Sequence, residues 1–165
     1  MNIARSKPIE MLGKQIAVEI GFAVTSDATE LQSLLFACGL SSHGLFAPDA
    51  LYWTARIANG RLIGCSGLEI SGQAGLLRSV AVSEDARRLG VAQRIVECVL
   101  AESRKRSIRH VYLFSKDSGG FFEKLGWLEV PVPEAAQALA TANQVRHYDR
   151  TGWYPNERAF RRDVM

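Results

Sequence analysis

The sequence predicts a mixed α/β domain, and three observations lead to this prediction. Strand-like segments with alternating apolar residues come first along the chain, and segments with helical spacing are interleaved with strands in its second half. Tight-turn signals separate three consecutive strand-like segments, as in an antiparallel meander. No segment repeats within the 165 residues, and 47% apolar with 22% charged residues is the composition of an ordinary globular protein.

The N-terminal elements follow in order. Residues 1–15 contain Lys, Pro and Gly without a period, so we expect a loose leader before a single domain at residues 16–165. The segment Ala17–Val24 is rich in strand-forming residues and predicts a first strand. Asp27, followed three residues later by Glu30, resembles a capping box and predicts the start of a helix.

Three consecutive strands form the predicted meander. The dipeptide Asn59-Gly60 is a strong tight-hairpin signal between the first strand and the second. A second turn, at residues 71–75, leads into the third strand. The three strands are predicted at residues 51–57, 61–70 and 76–82.

The period then changes from that of a strand to that of a helix. Apolar residues at helical spacing between Val91 and Leu100 mark one face of a helix with a basic C-terminal end. The rest of the chain predicts, in order, a strand, a short helix that ends at Gly126, an Ala-rich helix after Pro133 and a final strand. These elements are predicted at residues 110–115, 119–127, 132–143 and 153–164.

Composition and charge limit the function classes. The net charge of +3 does not call for a nucleic-acid partner, and none is predicted. No apolar run approaches the roughly 20 residues of a membrane span, and the N-terminus has no signal-peptide pattern, so we expect a cytoplasmic protein without a membrane partner. The histidines have no ligand spacing, so no metal is predicted. The cysteines lie in apolar, periodic segments and are expected to be buried free thiols: Cys38, Cys65 and Cys98.

The stretch from Arg87 to Ala92 has the features of an anion site. The N–H groups at the start of a helix lack intrahelical partners and carry a partial positive charge. Gly90 lets a ligand approach the backbone closely, and Arg87 and Arg88 add positive charge. A pyrophosphate fits this pattern, although neither the Walker nor the Rossmann glycine pattern is present. The alternative is a plain strand-to-helix turn with solvated arginines.

The pattern R-x-x-G-x-A at residues 87–92 resembles the pyrophosphate-binding pattern of the GNAT superfamily of N-acetyltransferases. Residues 79–82 before it resemble the fourth strand of that family, and residues 119–127 resemble its A-x-x-FY-x-K-x-GF segment. The order of elements from Ala17 to Val164 also fits. The resemblance implies the GNAT fold, a mixed central sheet of about six or seven strands flanked by about four helices. It also implies acetyl-CoA as the co-substrate, without a metal.

The resemblance further implies which residues hold acetyl-CoA and which step lacks its usual residue. In the family, backbone amides of the fourth strand hold the pantetheine and the thioester carbonyl. A tyrosine of the FY segment helps the thiolate to leave in many members, but Phe122 stands at that position here. Either the thiolate leaves unassisted or another donor serves, namely Tyr112, Tyr148 or Tyr154. The predicted cofactor-binding residues are Val80, Ala81, Val82, Arg87, Arg88, Leu89, Gly90, Val91, Ala92 and Phe121.

Arg78 is a charged residue within an apolar strand. Strict alternation places it on the same face as Leu76 and Val80, where a charge needs a partner. A two- or four-residue hairpin loop would bring Glu69 to that face. Two interpretations stay open: a structural Glu69–Arg78 pair, or a substrate site in which Arg78, with Ser79, binds a carboxylate while Glu69 accepts the amine proton.

Residues 67–82, 119–127 and 132–141 are most similar to amino-acid N-acetyltransferases linked to arsenic resistance, which acetylate arsinothricin or related amino acids. The tail at residues 146–165 departs from that group. The resemblance implies acetyl transfer to a small-molecule amine, such as an amino acid or an analogue, and a homodimer stays open. The alternatives are a protein or peptide N-acetyltransferase and a non-catalytic acetyl-CoA-binding module, which Phe122 suggests.

Overall fold

The computed structural model describes residues 4–152 and 157–165 and confirms the mixed α/β class. The strands are β1 (Ala4–Met11), β2 (Lys14–Phe22), β3 (Ala50–Ile57), β4 (Leu62–Ser71), β5 (Ala74–Val82), β6 (His110–Ser115), β7 (Leu128–Val130) and β8 (Arg158–Asp163). The helices are α1 (Ala28–Ala37), α2 (Val91–Lys105), α3 (Gly119–Lys124), α4 (Val132–Ala138) and α5 (Asn143–Thr151).

The described strands form one eight-stranded sheet in the order β1-β2-β3-β4-β5-β6-β8-β7. The predicted meander is confirmed, because β3, β4 and β5 are consecutive neighbours in this order. The sheet is mixed: β5 pairs with β6 in parallel, and the pairs β1–β2, β2–β3, β6–β8 and β7–β8 are antiparallel. The final strand is confirmed as β8.

The leader prediction is wrong for Ala4–Met11. This segment is β1, and it pairs with β2 through the turn at Leu12-Gly13. Its register shifts between Ser6 and Ile9, around Pro8, which has no N–H to donate to the ladder. The shift interrupts the alternation of side chains along the strand, so no period of two is visible in the sequence.

The helix expected near Asp27 and Glu30 is α1, but the capping box is not formed at its start. The side chain of Asp27, the N-cap residue of α1, makes no capping hydrogen bond to that helix; its Oδ2 accepts from the backbone N–H of Val24 at 2.8 Å. Both carboxylates instead bind the guanidinium of Arg56 on β3, at 2.8 Å from Asp27 and 3.1 Å from Glu30. The acidic pair thus joins α1 to β3.

Besides β1, two further elements are absent from the sequence-based prediction, β7 and α5. Strand β7 has only three residues, too few for a period to be visible. Helix α5 is almost entirely polar, and Val145 is its only fully buried residue. A helix of this composition is not stable by itself, so contacts with the rest of the chain decide whether it forms.

Contacts divide the described residues into two compact units. The first lies within Met1–Phe46, Ala50–Gly67 and Ser79–Val99, and the second is formed by Ala47–Asp49, Leu68–Arg78 and Leu100–Met165. The first unit has a core cluster of Leu31, Leu34, Leu35, Leu62, Cys65 and Ala81. The second has a cluster of Ala74, Leu76, Tyr112, Ala135, Leu139, Ala142, Val145 and Ala159. The prediction of one domain at residues 16–165 stays a prediction.

The expectation of three buried cysteines is confirmed for Cys65 only. Cys38 and Cys98 are half-buried, and all three are free thiols. None of the helices in residues 4–152 and 157–165 is long and apolar enough to cross a membrane.

Candidate active site

The segment Arg87–Ala92, which we call the anion loop, ends in the first turn of α2. Arg88 and Gly90 both have left-handed backbone conformations, with φ of 64° and 81°. A Cβ atom at Gly90 would meet no heavy atom within 4 Å, so the space over its backbone is open. Alternating left-handed residues of this kind turn successive N–H groups towards one side and favour anions. This geometry fits a pyrophosphate.

Helix α2 adds its N-terminus to the anion loop. The N–H of Arg94 donates to the carbonyl of Gly90 (3.2 Å), which is the first bond of the helical ladder, so the N–H groups before Arg94 are directed out of the helix end. A Cβ at Gly64 of β4 would lie 2.9 Å from Ile95 and 3.1 Å from Val91. Only glycine at that position allows this close approach, so Gly64 sets where α2 begins relative to β4.

The side chain of Arg87 lies against the C-terminal end of β5. Its Nε donates to the carbonyl of Val82 (3.1 Å), and its Nη2 is 3.8 Å from the Sγ of Cys38. The thiol of Cys38 donates to the same carbonyl of Val82 at 3.6 Å. Arg87 therefore holds the loop against β5, although it is exposed like Arg88 and Gly90.

Ser79 interrupts the alternation that the sequence predicts for β5. Its φ is 57°, a left-handed conformation that costs a non-glycine residue on the order of 1 kcal/mol or more. The thiol of Cys65 donates to its carbonyl at 3.4 Å. An outlier of this kind acts like a β-bulge, which changes the direction in which the following residues point. Within the same unit Ala81 is buried, whereas Val80 and Val82 are half-buried.

Glu69 and Arg78 form a buried ion pair in the second unit. Nη1 of Arg78 is 2.5 Å from Oε1 of Glu69, and the side chains are 6% and 1% exposed. The two-residue connection Gly72-Gln73 between β4 and β5 brings the two side chains together, as one of the predicted hairpin lengths requires. The predicted pairing of Glu69 with Arg78 is therefore confirmed. The roles of Arg78 in substrate binding and of Glu69 in catalysis stay predictions.

Glu69 also makes hydrogen bonds to α5, which the sequence does not predict. Its Oε2 accepts hydrogen bonds from the backbone N–H groups of Asn143 and Gln144, the latter at 3.3 Å, so it caps the N-terminus of α5. A carboxylate at this position satisfies two N–H groups and interacts favourably with the helix dipole. Both oxygens of Glu69 are thus engaged within the protein.

Helix α5 carries a polar pair one turn beyond this cap. Nε2 of Gln144 donates to the hydroxyl of Tyr148 at 2.7 Å, and the ring of Tyr148 meets the edge of Phe114 with 5.9 Å between centroids. Burial raises the pKa of Tyr148, and the charge of Glu157 raises it further. The hydrogen bond from Gln144 and the charge of Arg78 act in the opposite direction. The phenol is therefore protonated at neutral pH.

The family assignment follows from a match between the sequence and a family model, and this match covers most of the chain. The model of the acetyltransferase (GNAT) family matches residues 19–127. The chain belongs to the GNAT family. It is thus an acetyltransferase that uses coenzyme A, and the anion loop lies within the matched residues. A search of curated proteins finds no match.

Solved structures share the GNAT fold at low sequence identity. An acetyltransferase of Staphylococcus aureus Mu50 is 15% identical with a TM-score of 0.72, covering 90% of this chain and 100% of its own. N-acetylglutamate synthase from Neisseria gonorrhoeae, in complex with coenzyme A and N-acetylglutamate, is 20% identical with a TM-score of 0.73, covering 92% of this chain and 36% of its own. An aminoglycoside 6′-N-acetyltransferase with coenzyme A is 14% identical with a TM-score of 0.64, covering 88% and 97%. At these identities the likeness shows the fold.

Phe122 is packed into the interior of this GNAT protein. It is 6% exposed and meets Trp127 edge to face, with 5.6 Å between ring centroids. Phe121 beside it is 40% exposed, and its role in cofactor binding stays a prediction. The position of the usual tyrosine thus holds a ring without a hydroxyl, and its packing explains why an apolar residue is accepted there.

Three tyrosines are candidates for the general acid that protonates the leaving thiolate, and they differ in their surroundings. Tyr112 is 4% exposed, and its pKa is raised by burial and by the charge of Glu134, while Arg161 opposes the rise. It belongs to the core cluster of the second unit. Tyr148 lies on α5, where the charge of Arg78 acts on it. Tyr154 lies outside the described residues.

The described part of the chain offers no evident metal site. No three His, Cys, Asp or Glu side chains within residues 4–152 and 157–165 are grouped so that they could hold a metal ion. Burial raises the pKa of the Cys65 thiol to about 12, with a further contribution from Cys38. Cys65 is therefore a neutral core residue rather than a thiolate.

Proposed function

We propose that this GNAT acetyltransferase moves the acetyl group of acetyl-CoA to the amine of a small molecule that also carries a carboxylate, such as an amino acid or an analogue. One observation carries the proposal: β5 holds a buried guanidinium, Arg78, directly before the left-handed Ser79. Such a group recognises a carboxylate through paired hydrogen bonds. We place this activity in the cytoplasm.

The anion loop supports the assignment of the co-substrate. The N–H groups around Gly90 and at the start of α2 bind the pyrophosphate, and Arg88 adds charge at the exposed rim. Val80, Ala81 and Val82 present backbone groups to the pantetheine. Acetyl-CoA, when bound, supplies an activated thioester whose carbonyl gains negative charge as the amine attacks. N–H donors held in place before the reaction stabilise that charge.

Arg78 has the properties of a carboxylate ligand. A guanidinium has five N–H donors in a planar fork, and one of the two on Nη1 donates to Glu69. Only 8% of Arg78 is exposed, so a carboxylate bound to it is shielded from water, and shielding strengthens a charge-assisted hydrogen bond. The N. gonorrhoeae synthase, which shares this fold over 36% of its own length, is in complex with coenzyme A and N-acetylglutamate, and this supports an amino-acid acceptor as a proposal here.

The amine must be neutral when it attacks the thioester. Glu69 was the predicted base, but its oxygens accept from Arg78 and from two backbone N–H groups of α5. A proton taken up by Glu69 would weaken these bonds. Glu69 as the base therefore stays a hypothesis, with water or an amine that arrives neutral as its alternative.

An amine panel with detection of the released thiol tests the substrate class. The panel pairs acidic amino acids, including phosphinothricin and arsinothricin, with their uncharged amides, and it adds a peptide and an aminoglycoside. We expect acetylation of the carboxylate-bearing amines first. Preferential acetylation of the peptide would favour the peptide acetyltransferase instead.

Arg78→Ala tests the residue on which the proposal rests. We expect the KM for the acidic acceptor to rise by roughly tenfold or more, because a hydrogen bond to a charged group is worth about 1.5–3 kcal/mol. The KM for acetyl-CoA should stay unchanged. Arg106→Ala is the control, since it removes an arginine that is 42% exposed and pairs with Glu102 on α2. Lower stability with an unchanged acceptor KM would leave Arg78 a structural role only.

A further inference from the structure

Strand β5 contains one residue more than the part of β4 that lies beside it. The two-residue turn places Ser71 beside Ala74, and at the other end of the hairpin the N–H of Ser83 donates to the carbonyl of Ile63 at 2.8 Å. Between these points β4 advances eight positions, from 63 to 71, while β5 advances nine, from 74 to 83. An extra residue in one strand of a pair is a β-bulge, and the left-handed φ of 57° locates it at Ser79.

The thiol of Cys65 holds this bulge through the carbonyl of Ser79. Its Sγ donates to that oxygen at 3.4 Å from a fully buried position on β4. Burial raises the pKa of the thiol to about 12, so the group is protonated and is a donor at neutral pH. The hydrogen bond offsets part of the cost of the left-handed conformation.

The same hydrogen bond fixes the direction of the next N–H group. The carbonyl of Ser79 and the N–H of Val80 belong to one trans peptide unit, in which they point in opposite directions. Because the carbonyl faces Cys65 on β4, the N–H of Val80 faces away from β4. The pairing of β5 with β6, its other neighbour, covers Ala74–Leu76 and ends before the bulge. The bulge therefore decides where this N–H points.

The other end of the segment Ser79–Val82 is held separately. The carbonyl of Val82 accepts from the thiol of Cys38 at 3.6 Å and from Nε of Arg87 at 3.1 Å. Side-chain donors thus fix the carbonyls at both ends of the segment. Because Val82 is held independently of Cys65, loss of the Cys65 thiol should disturb the segment at Ser79 and leave the anion loop in place.

We propose that Cys65 is a positioning residue for acetyl transfer, because its thiol holds the bulge at Ser79 and thereby keeps the N–H of Val80 directed at the thioester carbonyl. The inference rests on the proposed function in taking Val80–Val82 as the segment that holds the co-substrate. It does not depend on which amine is acetylated. An N–H that is in place before negative charge develops on the oxygen stabilises the transition state more than the ground state. Cys65 acts on this step through the backbone of β5.

Two variants separate the hydrogen bond of the thiol from its volume. Cys65→Val fills the site without a donor, and Cys65→Ser keeps a donor. We expect Cys65→Val to lower kcat by about three- to tenfold, the range for one lost hydrogen bond, with little change in the KM for acetyl-CoA. Cys65→Ser should recover most of this loss. Cys98→Val is the matched control, since it removes a half-buried thiol on α2, and its kcat should equal that of the unaltered protein.

Amide hydrogen exchange without ligand gives a readout that does not depend on activity. Exchange at Val80 should be faster in Cys65→Val than in the unaltered protein and in Cys65→Ser. A further comparison uses Ser79→Gly, because glycine adopts the left-handed conformation without steric cost. In that background Cys65→Val should lower kcat by a smaller factor. If Cys65→Val fails to fold, Cys65→Ala takes its place with the same expected results.

The outcomes separate this inference from the proposed function. An unchanged kcat in Cys65→Val overturns the role of Cys65, whether or not the Tm falls, and so does a loss that Cys65→Ser fails to recover. Either result leaves the proposed function standing. Preferential acetylation of the peptide overturns the proposed acceptor class alone, because the kcat of the Cys65 variants is then measured with the peptide. Unaltered protein that acetylates no amine overturns both.

Discussion

The anion loop and the Glu69–Arg78 pair both present positive charge, and they do so in opposite ways. The anion loop is exposed at Arg87, Arg88 and Gly90, and besides the two guanidinium groups it offers backbone N–H groups ordered by Gly90 and the start of α2. Arg78 is buried, and its charge is compensated by one carboxylate at 2.5 Å. A site built from backbone depends on local conformation, whereas a site built from buried side chains depends on every partner being present.

The two kinds of site also respond differently to substitution. In the anion loop a side chain can change with little effect, provided that the left-handed conformation and the open space over Gly90 are kept. At the buried pair a single substitution removes the opposite charge from a place that is shielded from water. Substitutions at the buried pair are therefore expected to change mainly the free energy of unfolding, and substitutions in the anion loop mainly the affinity for acetyl-CoA.

Glu69→Gln has the largest expected effect. Loss of the charge removes the carboxylate that compensates the buried Arg78 and weakens the cap of α5, so the free energy of unfolding should fall by about 3–5 kcal/mol. Urea unfolding measures this change. If Glu69 is also the general base, the rate of the folded variant should fall by about 10²–10⁴-fold, most visibly at low pH. An unchanged rate in the folded variant would remove Glu69 from the chemistry.

An exposed pair supplies the matched comparison for that experiment. Arg61 and Asp85 approach to 2.7 Å, but their side chains are 44% and 55% exposed. Asp85→Asn should cost less than about 1 kcal/mol, because exposed ion pairs contribute little. Equal losses for Asp85→Asn and Glu69→Gln would contradict the view that burial makes the difference.

Gly90→Asp should act on ligand binding more than on folding. A carboxylate at this position fills the open space and repels the pyrophosphate, so the affinity for acetyl-CoA should fall by at least roughly tenfold, or about 1.4 kcal/mol. In the unaltered protein acetyl-CoA should raise the Tm, since it binds the folded state. The variant should lose this rise.

Gly13→Asp controls for the backbone strain of that substitution. Gly13 has a φ of 72° and, like Gly90, no heavy atom within 4 Å of its Cβ position. Both variants should lose about 1–2 kcal/mol of stability, the cost of a left-handed non-glycine residue. The rise in Tm with acetyl-CoA should persist in Gly13→Asp. Normal binding by Gly90→Asp would remove the anion loop from the site.

Cys65 extends the comparison to a buried group without a compensating charge. Burial raises the pKa of its thiol to about 12 from 9.0, so above pH 9 the unfolded state releases this proton while the folded state retains it. The free energy of unfolding should therefore fall by about 1.4 kcal/mol per pH unit between pH 9 and pH 12. Urea unfolding of Cys65→Ala should lack this contribution. An equal slope in both proteins would contradict the burial of the thiol.

The sequence could predict the elements whose signals are local. The Asn59-Gly60 hairpin, the change of period at Val91 and the pattern at residues 87–92 all depend on residues close together in the chain. The two-residue connection at Gly72-Gln73 also belongs to this group, and with it the pairing of Glu69 with Arg78. Local chemistry suffices here, because turn conformation and side-chain alternation require no distant partner.

The tertiary structure alone decided what depends on distant contacts. Helix α5 has little apolar surface, and it forms where a carboxylate 74 residues earlier in the chain accepts its first N–H. The left-handed Ser79 lies in a strand that the sequence presents as regular, and β1 is hidden by the register shift around Pro8. Each of these features is stabilised by contacts that form only when the chain has folded, and such contacts leave no periodic signal in the residues themselves.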